Sequence, residues 1–267
     1  MRLSDCRREQ TLEIGDMRMH CITFGKGKRP LVMIQGLSTR SIRGTGFILE
    51  NYYRMFASRY KVYIFDRKED IGEGITVREL ACDVAAAMDH LGIENADIFA
   101  ASQGGMIAQY LAIDRPDLVR KMVLAVTLSR NNDTVKAVID GWTDMVQRHD
   151  IKAMLADMTE KMYSASYLKR NRLFIPLANL MQIPKDIPRF VTLAKSCLTC
   201  DTYDMLDKIR CPVLVIGGRQ DKIVSGEASE EIAEKLGCSL YMYEELGHAA
   251  YTEAKDFNRR VFDFLQE

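Results

Sequence analysis

The stretch DIFAASQGGMIAQYLAID, residues 97–114, predicts a β-strand that turns sharply into an α-helix at a serine. Asp97–Ala101 is a short apolar run, and the pattern from Gln103 to Asp114 is helical. Small residues stand two positions before and two positions after Ser102, where a sharp turn leaves little room for side chains. Ser102 is therefore the candidate nucleophile, and the amide of Gln103, at the helix N-terminus, is a candidate donor to an oxyanion.

Outward from this turn, short apolar runs alternate with amphipathic segments, which is typical of a mostly parallel sheet covered by helices. Thr11–Ile14 and Met17–Phe24 are expected to pair as an antiparallel edge hairpin. The other predicted strands are Leu31–Gln35, Lys61–Phe65, Asp97–Ala101, Lys121–Val126, Pro212–Gly217 and Ser239–Tyr243. The predicted helices, besides the one after Ser102, are Thr76–Leu91, Gly226–Leu236 and Ala254–Leu265.

The alternation of strands and helices is interrupted between Ser129 and Leu206, where the pattern is helical and rich in methionine. We interpret this segment as a helical insertion above the sheet. The predicted organisation is a core formed by residues 1–128 and 207–267, with a cap segment at 129–206.

Composition narrows the function classes before any further motif is considered. The chain has 267 residues, with 37 Lys+Arg against 37 Asp+Glu. This balance gives no electrostatic reason to expect a nucleic acid or an anionic membrane as partner. No apolar run follows the charged N-terminus and none approaches a bilayer span, so the expected location is the cytoplasm.

The seven cysteines are an odd number and predict no disulfide framework. Cys197 and Cys200 form a lone C-x-x-C pair without a second ligand pair, so we interpret them as packing residues rather than a metal or redox site. No dinucleotide fingerprint, phosphate-binding loop or zinc-protease motif is present. The sequence therefore predicts neither a metal nor an organic cofactor.

A serine nucleophile needs a base, and the chain offers only four histidines. His248, in the stretch ELGHAA, follows the last predicted strand and precedes the last helix. The carboxyl ends of parallel strands meet at one edge of the sheet, which is where Ser102 is expected. His20, His90 and His149 lie in an edge strand, near a helix end and in the cap segment, so His248 is the candidate base.

The turn AASQGG, the order of elements and the position of Gly247-His248 together resemble the α/β-hydrolase family. The usual pattern at the turn is G-x-S-x-G, and this chain has Ala100 at the first small position. The resemblance extends from about Met17 to Leu265. It implies an acid after the strand PVLVIG, where Asp221 stands, and it implies the chain order Ser, Asp, His. Asp201, Asp204 and Asp207 are rivals that precede that strand.

The same resemblance places a second oxyanion donor in the loop after the strand LVMIQ. The amide of Leu37 is the best candidate there. Most family members have His-Gly where this chain has Gln35-Gly36, and we expect the Gln35 side chain to support the loop instead. The cap segment is expected to form an apolar pocket for a small-molecule substrate, with Trp142, Met145 and Tyr163 as its lining.

These features predict a serine hydrolase, a carboxylesterase that acts on a small or medium ester through an acyl-enzyme at Ser102. A carbon–carbon bond hydrolase of the ring-cleavage type uses the same triad types and is the alternative enzyme. A ligand-binding protein without catalysis on the same fold is the alternative from another class. Relatives with an aspartate nucleophile are disfavoured because Ser102 occupies the turn.

Overall fold

Eight strands form a single sheet in the computed structural model, which describes residues 8–267. Strands β3 to β8 are parallel, while β1 and β2 form an antiparallel hairpin that joins the sheet through β4. The order across the sheet is β1-β2-β4-β3-β5-β6-β7-β8. The strands are β1 Arg8–Ile14, β2 Met17–Phe24, β3 Arg29–Ile34, β4 Tyr60–Lys68, β5 Ala96–Ala101, β6 Val119–Ala125, β7 Val213–Gly218 and β8 Ser239–Tyr243.

The central strands are continuously apolar because helices cover both faces of the sheet. In β5, Ile98 and Ala100 pack into the core on one face. Phe99 and Ala101 pack into the core on the other face. The predicted mostly parallel sheet and the predicted N-terminal hairpin are thus confirmed.

Eleven α-helices fall within residues 8–267. The second begins with a capping box, in which Thr76 and Glu79 exchange side-chain and backbone hydrogen bonds. The last predicted helix begins at Phe257 rather than Ala254, whose backbone is extended. The helices are α1 Gly46–Tyr52, α2 Val77–His90, α3 Gln103–Asp114, α4 Asp133–Gln147, α5 Ile151–Met162, α6 Ala165–Asn171, α7 Ile175–Met181, α8 Ile187–Ser196, α9 Glu227–Leu236, α10 Ala250–Glu253 and α11 Phe257–Gln266.

Five consecutive helices, α4 to α8, lie between β6 and β7. Hydrogen bonds tie them to the carboxyl edge of the sheet. The Arg189 guanidinium of α8 donates to the carbonyls of Arg67, Lys68 and Glu69 at the end of β4. The amide of Ala249 donates to the carbonyl of Met162 at 2.8 Å. These bonds fix the helices over the edge at which the strands end; the residue bounds given above for core and cap stay a prediction.

Within residues 8–267, no helix is both long enough and apolar enough to cross a membrane.

Candidate active site

Ser102 occupies a tight turn with unusual backbone angles. Its φ of +53° and ψ of −124° lie in a region that side-chain-bearing residues rarely adopt. The turn is fixed from both sides: the Ser102 amide donates to the Ala125 carbonyl at 2.9 Å, and the Ser102 carbonyl accepts from the Gly105 amide and the Thr127 hydroxyl at 2.8 and 2.7 Å. Neighbouring β6 thus holds the serine at the start of α3.

Close backbone packing explains the small residues around this turn. A Cβ at Gly104 would lie 2.7 Å from the Gln35 carbonyl oxygen and closer still to that of Ile34. A Cβ at Gly36 would lie 3.1 Å from the Ser102 Cβ. Ala100 is fully buried and its methyl group is accommodated. Glycine is therefore required after the serine, whereas the first small position tolerates alanine.

The structure brings together three side chains that are far apart in the chain. His248 Nε2 lies 2.9 Å from the Ser102 hydroxyl oxygen, and His248 Nδ1 lies 2.7 Å from Asp221 Oδ2. The second oxygen, Asp221 Oδ1, accepts from the amides of Ile223 and Val224 at 2.8 and 3.0 Å. The carboxylate is thus held in one orientation, in which it accepts a hydrogen bond from Nδ1–H and leaves Nε2 free to accept one from the serine hydroxyl.

Burial strengthens the coupling between these groups. The side chains of His248 and Asp221 are 4% and 1% exposed. Hydrogen bonds between charged or polar groups are stronger where water is excluded. The rival carboxylates Asp201, Asp204 and Asp207 make no hydrogen bond to His248. Asp221 is the carboxylate that meets the imidazole.

Two backbone amides beside Ser102 have no hydrogen-bond partner among residues 8–267. They belong to Leu37, in the loop after β3, and to Gln103, at the first position of α3. Leu37 lines the same cavity as Ser102, and the preceding residue, Gly36, packs against the serine. Unpaired amides at such a position are available to a developing negative charge.

Arg67, which was not predicted, connects the residues that carry these two amides. Its Nη2 donates to the Gln35 carbonyl at 2.7 Å and to Gln103 Oε1 at 3.0 Å. The Gln103 side-chain amide in turn donates to the Leu193 carbonyl of α8 at 2.7 Å. Burial lowers the pKa of Arg67 to about 10, so it stays charged at neutral pH. The loop is therefore held through the Gln35 backbone. The predicted support from the Gln35 side chain is not found, because that side chain makes no hydrogen bond within residues 8–267.

A small cavity of about 50 Å³ opens beside Ser102, and its lining is mostly apolar. Trp142 lines it, as predicted for a pocket residue, and its indole nitrogen is already bonded to Asp157 Oδ2 at 2.7 Å. The lining includes no lysine, arginine, aspartate or glutamate. It consists of Gly36, Leu37, Ser102, Met106, Val135, Ile139, Trp142, Met158, Met162, Cys197, Ile223, Val224, His248 and Tyr251.

The other two predicted pocket residues lie elsewhere. Tyr163 lines an adjoining cavity of about 270 Å³, which shares Leu37, Met158 and Met162 with the cavity beside Ser102. Met145 lines neither cavity; it lies nearly one turn beyond Trp142 on α4, where it packs against the hydrophobic core. The rotation of α4 about its axis, which the sequence leaves open, decides that Trp142 and not Met145 lines the cavity.

The C-x-x-C pair lies beside the site without forming a centre of its own. Cys197 and Cys200 are buried free thiols, and burial raises the pKa of Cys197 to about 11. The part of the chain that the structure describes holds no cluster of three or more His, Cys, Asp or Glu side chains arranged for a metal ion.

A sequence profile of the alpha/beta hydrolase fold matches residues 29–255, which is most of the chain. The chain belongs to the α/β-hydrolase fold family. The sequence relatives described below are named as hydrolases, and this α/β hydrolase is likewise an enzyme of the hydrolase class.

The relatives differ in the reaction that their names specify. The "Putative carbamate hydrolase RutD" of Caulobacter sp. (strain K31) is 26% identical over 83% of this chain and 87% of its own length. The 2-hydroxy-6-oxononadienedioate/2-hydroxy-6-oxononatrienedioate hydrolase 2 of Pseudomonas putida is 26% identical over 94% and 92%. The crystal structure of the enol-lactonase from Burkholderia xenovorans LB400 superposes with a TM-score of 0.85 at 19% identity, covering 97% of this chain and all of that one. They share the fold and hydrolysis rather than one substrate.

Proposed function

We propose that this hydrolase is a serine carboxylesterase that cleaves small or medium uncharged esters through an acyl-enzyme at Ser102. The hydrogen-bonded series Ser102–His248–Asp221, with lengths of 2.9 and 2.7 Å, is the observation that carries the proposal. Hydrogen-bond distance between a nucleophile and its base, with the base oriented by a third group, is the geometry that acyl transfer requires.

In the first half-reaction the Ser102 oxygen attacks the ester carbonyl carbon while His248 Nε2 takes the hydroxyl proton. The carbonyl oxygen becomes an oxyanion, which the unpaired amides of Leu37 and Gln103 would bind in this proposal. The bond from carbon to the alkoxy oxygen then breaks, and His248 gives its proton to the departing alcohol. The acyl group remains on Ser102.

In the second half-reaction a water molecule attacks the acyl carbon and gives a proton to the same imidazole nitrogen. Collapse of the oxyanion breaks the bond to the Ser102 oxygen, which recovers its proton from His248. The products are a carboxylic acid and an alcohol. Throughout the cycle Asp221 stabilises the imidazolium without taking its proton.

The cavity lining supports an uncharged, short acyl group. About 50 Å³ is available beside Ser102, and the lining has no cationic side chain to bind a substrate carboxylate. The adjoining cavity of about 270 Å³ has room for a bulkier alcohol group. This lining favours esters over the carbon–carbon hydrolase alternative, since the dioate named for the Pseudomonas putida relative is a dicarboxylate.

A panel of p-nitrophenyl esters of increasing acyl length tests the proposal, with a vinylogous diketone as the carbon–carbon substrate. We expect the highest kcat/KM with acyl groups of about two to four carbons, a fall for longer ones, and little cleavage of the diketone. Ser102→Ala should lower kcat by about 10⁴ or more. Ser58→Ala, at an exposed serine, is the matched control and should keep wild-type turnover. Preferred cleavage of the diketone, or full activity of Ser102→Ala, would contradict the proposal.

A further inference from the structure

A separate cavity of about 160 Å³ adjoins the loop after β3 and has a strongly cationic lining. It touches Gly36 and Gln103 but not Ser102, and its wall is completed by the end of β4 and by α8. A second cavity leads from it and shares its cationic residues. These four residues, which we name the cationic group, are Arg40, Arg67, Lys185 and Arg189.

No member of the cationic group forms an ion pair with a carboxylate of residues 8–267. Arg40 donates to the carbonyls of Met181 and Ile183. Among residues 8–267, the guanidinium of Arg189 donates only to carbonyls at the end of β4 and to that of Glu69 just after it. Nη1 of Arg67 and the ammonium of Lys185 have no hydrogen-bond acceptor in the same part of the chain. Four positive charges therefore line the cavity without a direct ion pair, against the two negative charges of Asp66 and Asp186 in the same lining.

The two carboxylates in the cavity wall already have other donors. Asp66 Oδ2 accepts from the Ser41 hydroxyl at 2.6 Å and from the Ile42 amide at 3.0 Å. Asp186 caps α8 by accepting from the Arg189 amide at 2.9 Å. Both acids thus serve to fix the backbone around the cavity.

We infer that this cavity binds a small oxyanion of the carboxylate class, with Arg67 as its buried ligand and Lys185 as its exposed one. Arg67 is only 7% exposed, and its guanidinium makes no ion pair among residues 8–267, although the charge of Asp66 acts on it through space. A buried guanidinium with a free N–H group is stabilised when an anion binds it directly. Arginine N–H groups match carboxylate oxygens in geometry and charge. A volume of about 160 Å³ suits an anion of a few heavy atoms.

Occupancy of this site would reach the loop beside Ser102 through one side chain. The guanidinium that faces the cavity also donates to the Gln35 carbonyl and to Gln103 Oε1. A bound anion would accept hydrogen bonds from the same guanidinium and so change the strength of its bonds to the Gln35 carbonyl and to Gln103 Oε1. The site stands on the cavity alone and does not depend on the reaction at Ser102.

Thermal unfolding in sodium acetate, at ionic strength held constant with NaCl, tests the inference. Acetamide, the uncharged counterpart of acetate, is the control ligand. We expect acetate to raise Tm with saturation, by about 3–6 °C at ten times its Kd, and acetamide to leave Tm unchanged. A non-saturating change, or an equal change with acetamide, would overturn the inference.

Two variants locate the binding. Lys185→Gln removes an exposed ammonium that has no protein partner among residues 8–267, so it should keep the unliganded Tm and raise the acetate Kd about threefold or more. Lys152→Gln, at an exposed lysine of α5, is the matched control and should bind acetate as the wild type does. Arg67→Gln should abolish the acetate effect where it folds. If it does not fold, Lys185→Gln decides, and a wild-type Kd in that variant overturns the inference.

Two sources could supply the carboxylate, and turnover separates them. A free anion changes the kcat of a neutral ester as acetate saturates. A carboxylate on the substrate itself instead gives dicarboxylic acid monoesters a lower KM than neutral esters, and Lys185→Gln removes that difference. That second pattern would support the anion site and contradict the preference for uncharged esters proposed above. Either pattern supports the site. Loss of ester turnover altogether would affect the proposed function and leave the Tm measurement valid.

Discussion

Replacement of Gly104 by alanine is expected to damage both stability and catalysis, for a reason that can be read from backbone distances. The added Cβ would lie 2.7 Å from the Gln35 carbonyl oxygen and closer to that of Ile34, whereas an ordinary contact begins at 3.4 Å. The contact with Gln35 alone would require helix α3 and the end of strand β3 to separate by about 0.7 Å, and the shorter contact with Ile34 requires more. Backbone atoms on both sides leave no flexible side chain to absorb this shift.

This separation would move the unpaired amides of Leu37 and Gln103 apart, because Gln35 lies two residues before Leu37 and Gly104 directly follows Gln103. A misplacement near 1 Å in a reacting group costs about 10²-fold in rate, and overpacking of this kind costs about 1–3 kcal/mol. We therefore expect Gly104→Ala to lower kcat about 10²-fold and the free energy of unfolding by about 2 kcal/mol.

Gly141 supplies the matched control for this experiment. It lies within α4, and a Cβ there would meet nothing within 4 Å. Gly141→Ala should keep wild-type turnover and raise the free energy of unfolding by about 0.4–1 kcal/mol. Urea unfolding and steady-state ester hydrolysis measure both variants. Wild-type stability and turnover in Gly104→Ala would refute the steric reasoning.

Three further predictions test other parts of the site. Asp221→Asn should lower kcat by on the order of 10³–10⁴, because the imidazole is no longer held in the correct tautomer, while Asp204→Asn should change kcat less than about threefold. The opposite ranking in steady-state assays would show that Asp221 is not the catalytic acid. Ala100→Gly, which restores the usual family residue, should leave kcat/KM within about twofold, since the alanine methyl already fits; a large gain would show that it strains the turn. A thiol reagent at pH 8 should modify exposed Cys82 quickly and Cys197 only upon unfolding. Burial raises the pKa of Cys197 to about 11, and the thiolate is the reactive form of a cysteine. Fast modification of Cys197 in the folded protein would contradict this prediction.

The mostly parallel sheet and the positions of its strands along the chain could be predicted because each parallel strand is a short apolar run bounded by turn residues. The same topology brings chain-distant residues to one edge, which is why Ser102, Asp221 and His248 could be selected before any distances were known. The start of α3 could also be predicted from local sequence, since the small residues around Ser102 leave room for the tight turn.

What sequence could not provide depends on contacts between distant segments. Arg67 is buried among residues that come together only when α8 packs above β4, more than 120 positions later in the chain. In the sequence it follows the predicted strand Lys61–Phe65, a position at which an arginine is usually exposed at the surface. The cavity lining likewise depends on the rotation of α4, so Trp142 faces the small cavity while Met145 packs against the core.

Labelling with a fluorophosphonate, followed by peptide mapping, tests the central claim most directly. A fluorophosphonate reacts with a serine whose hydroxyl proton a neighbouring base can take. We predict one equivalent of label, located on Ser102, in the wild type and none in Ser102→Ala, with labelling slowed strongly in His248→Ala. Label on a different serine, or an inert Ser102 in the folded wild-type protein, would contradict the account and favour a ligand-binding role for this fold.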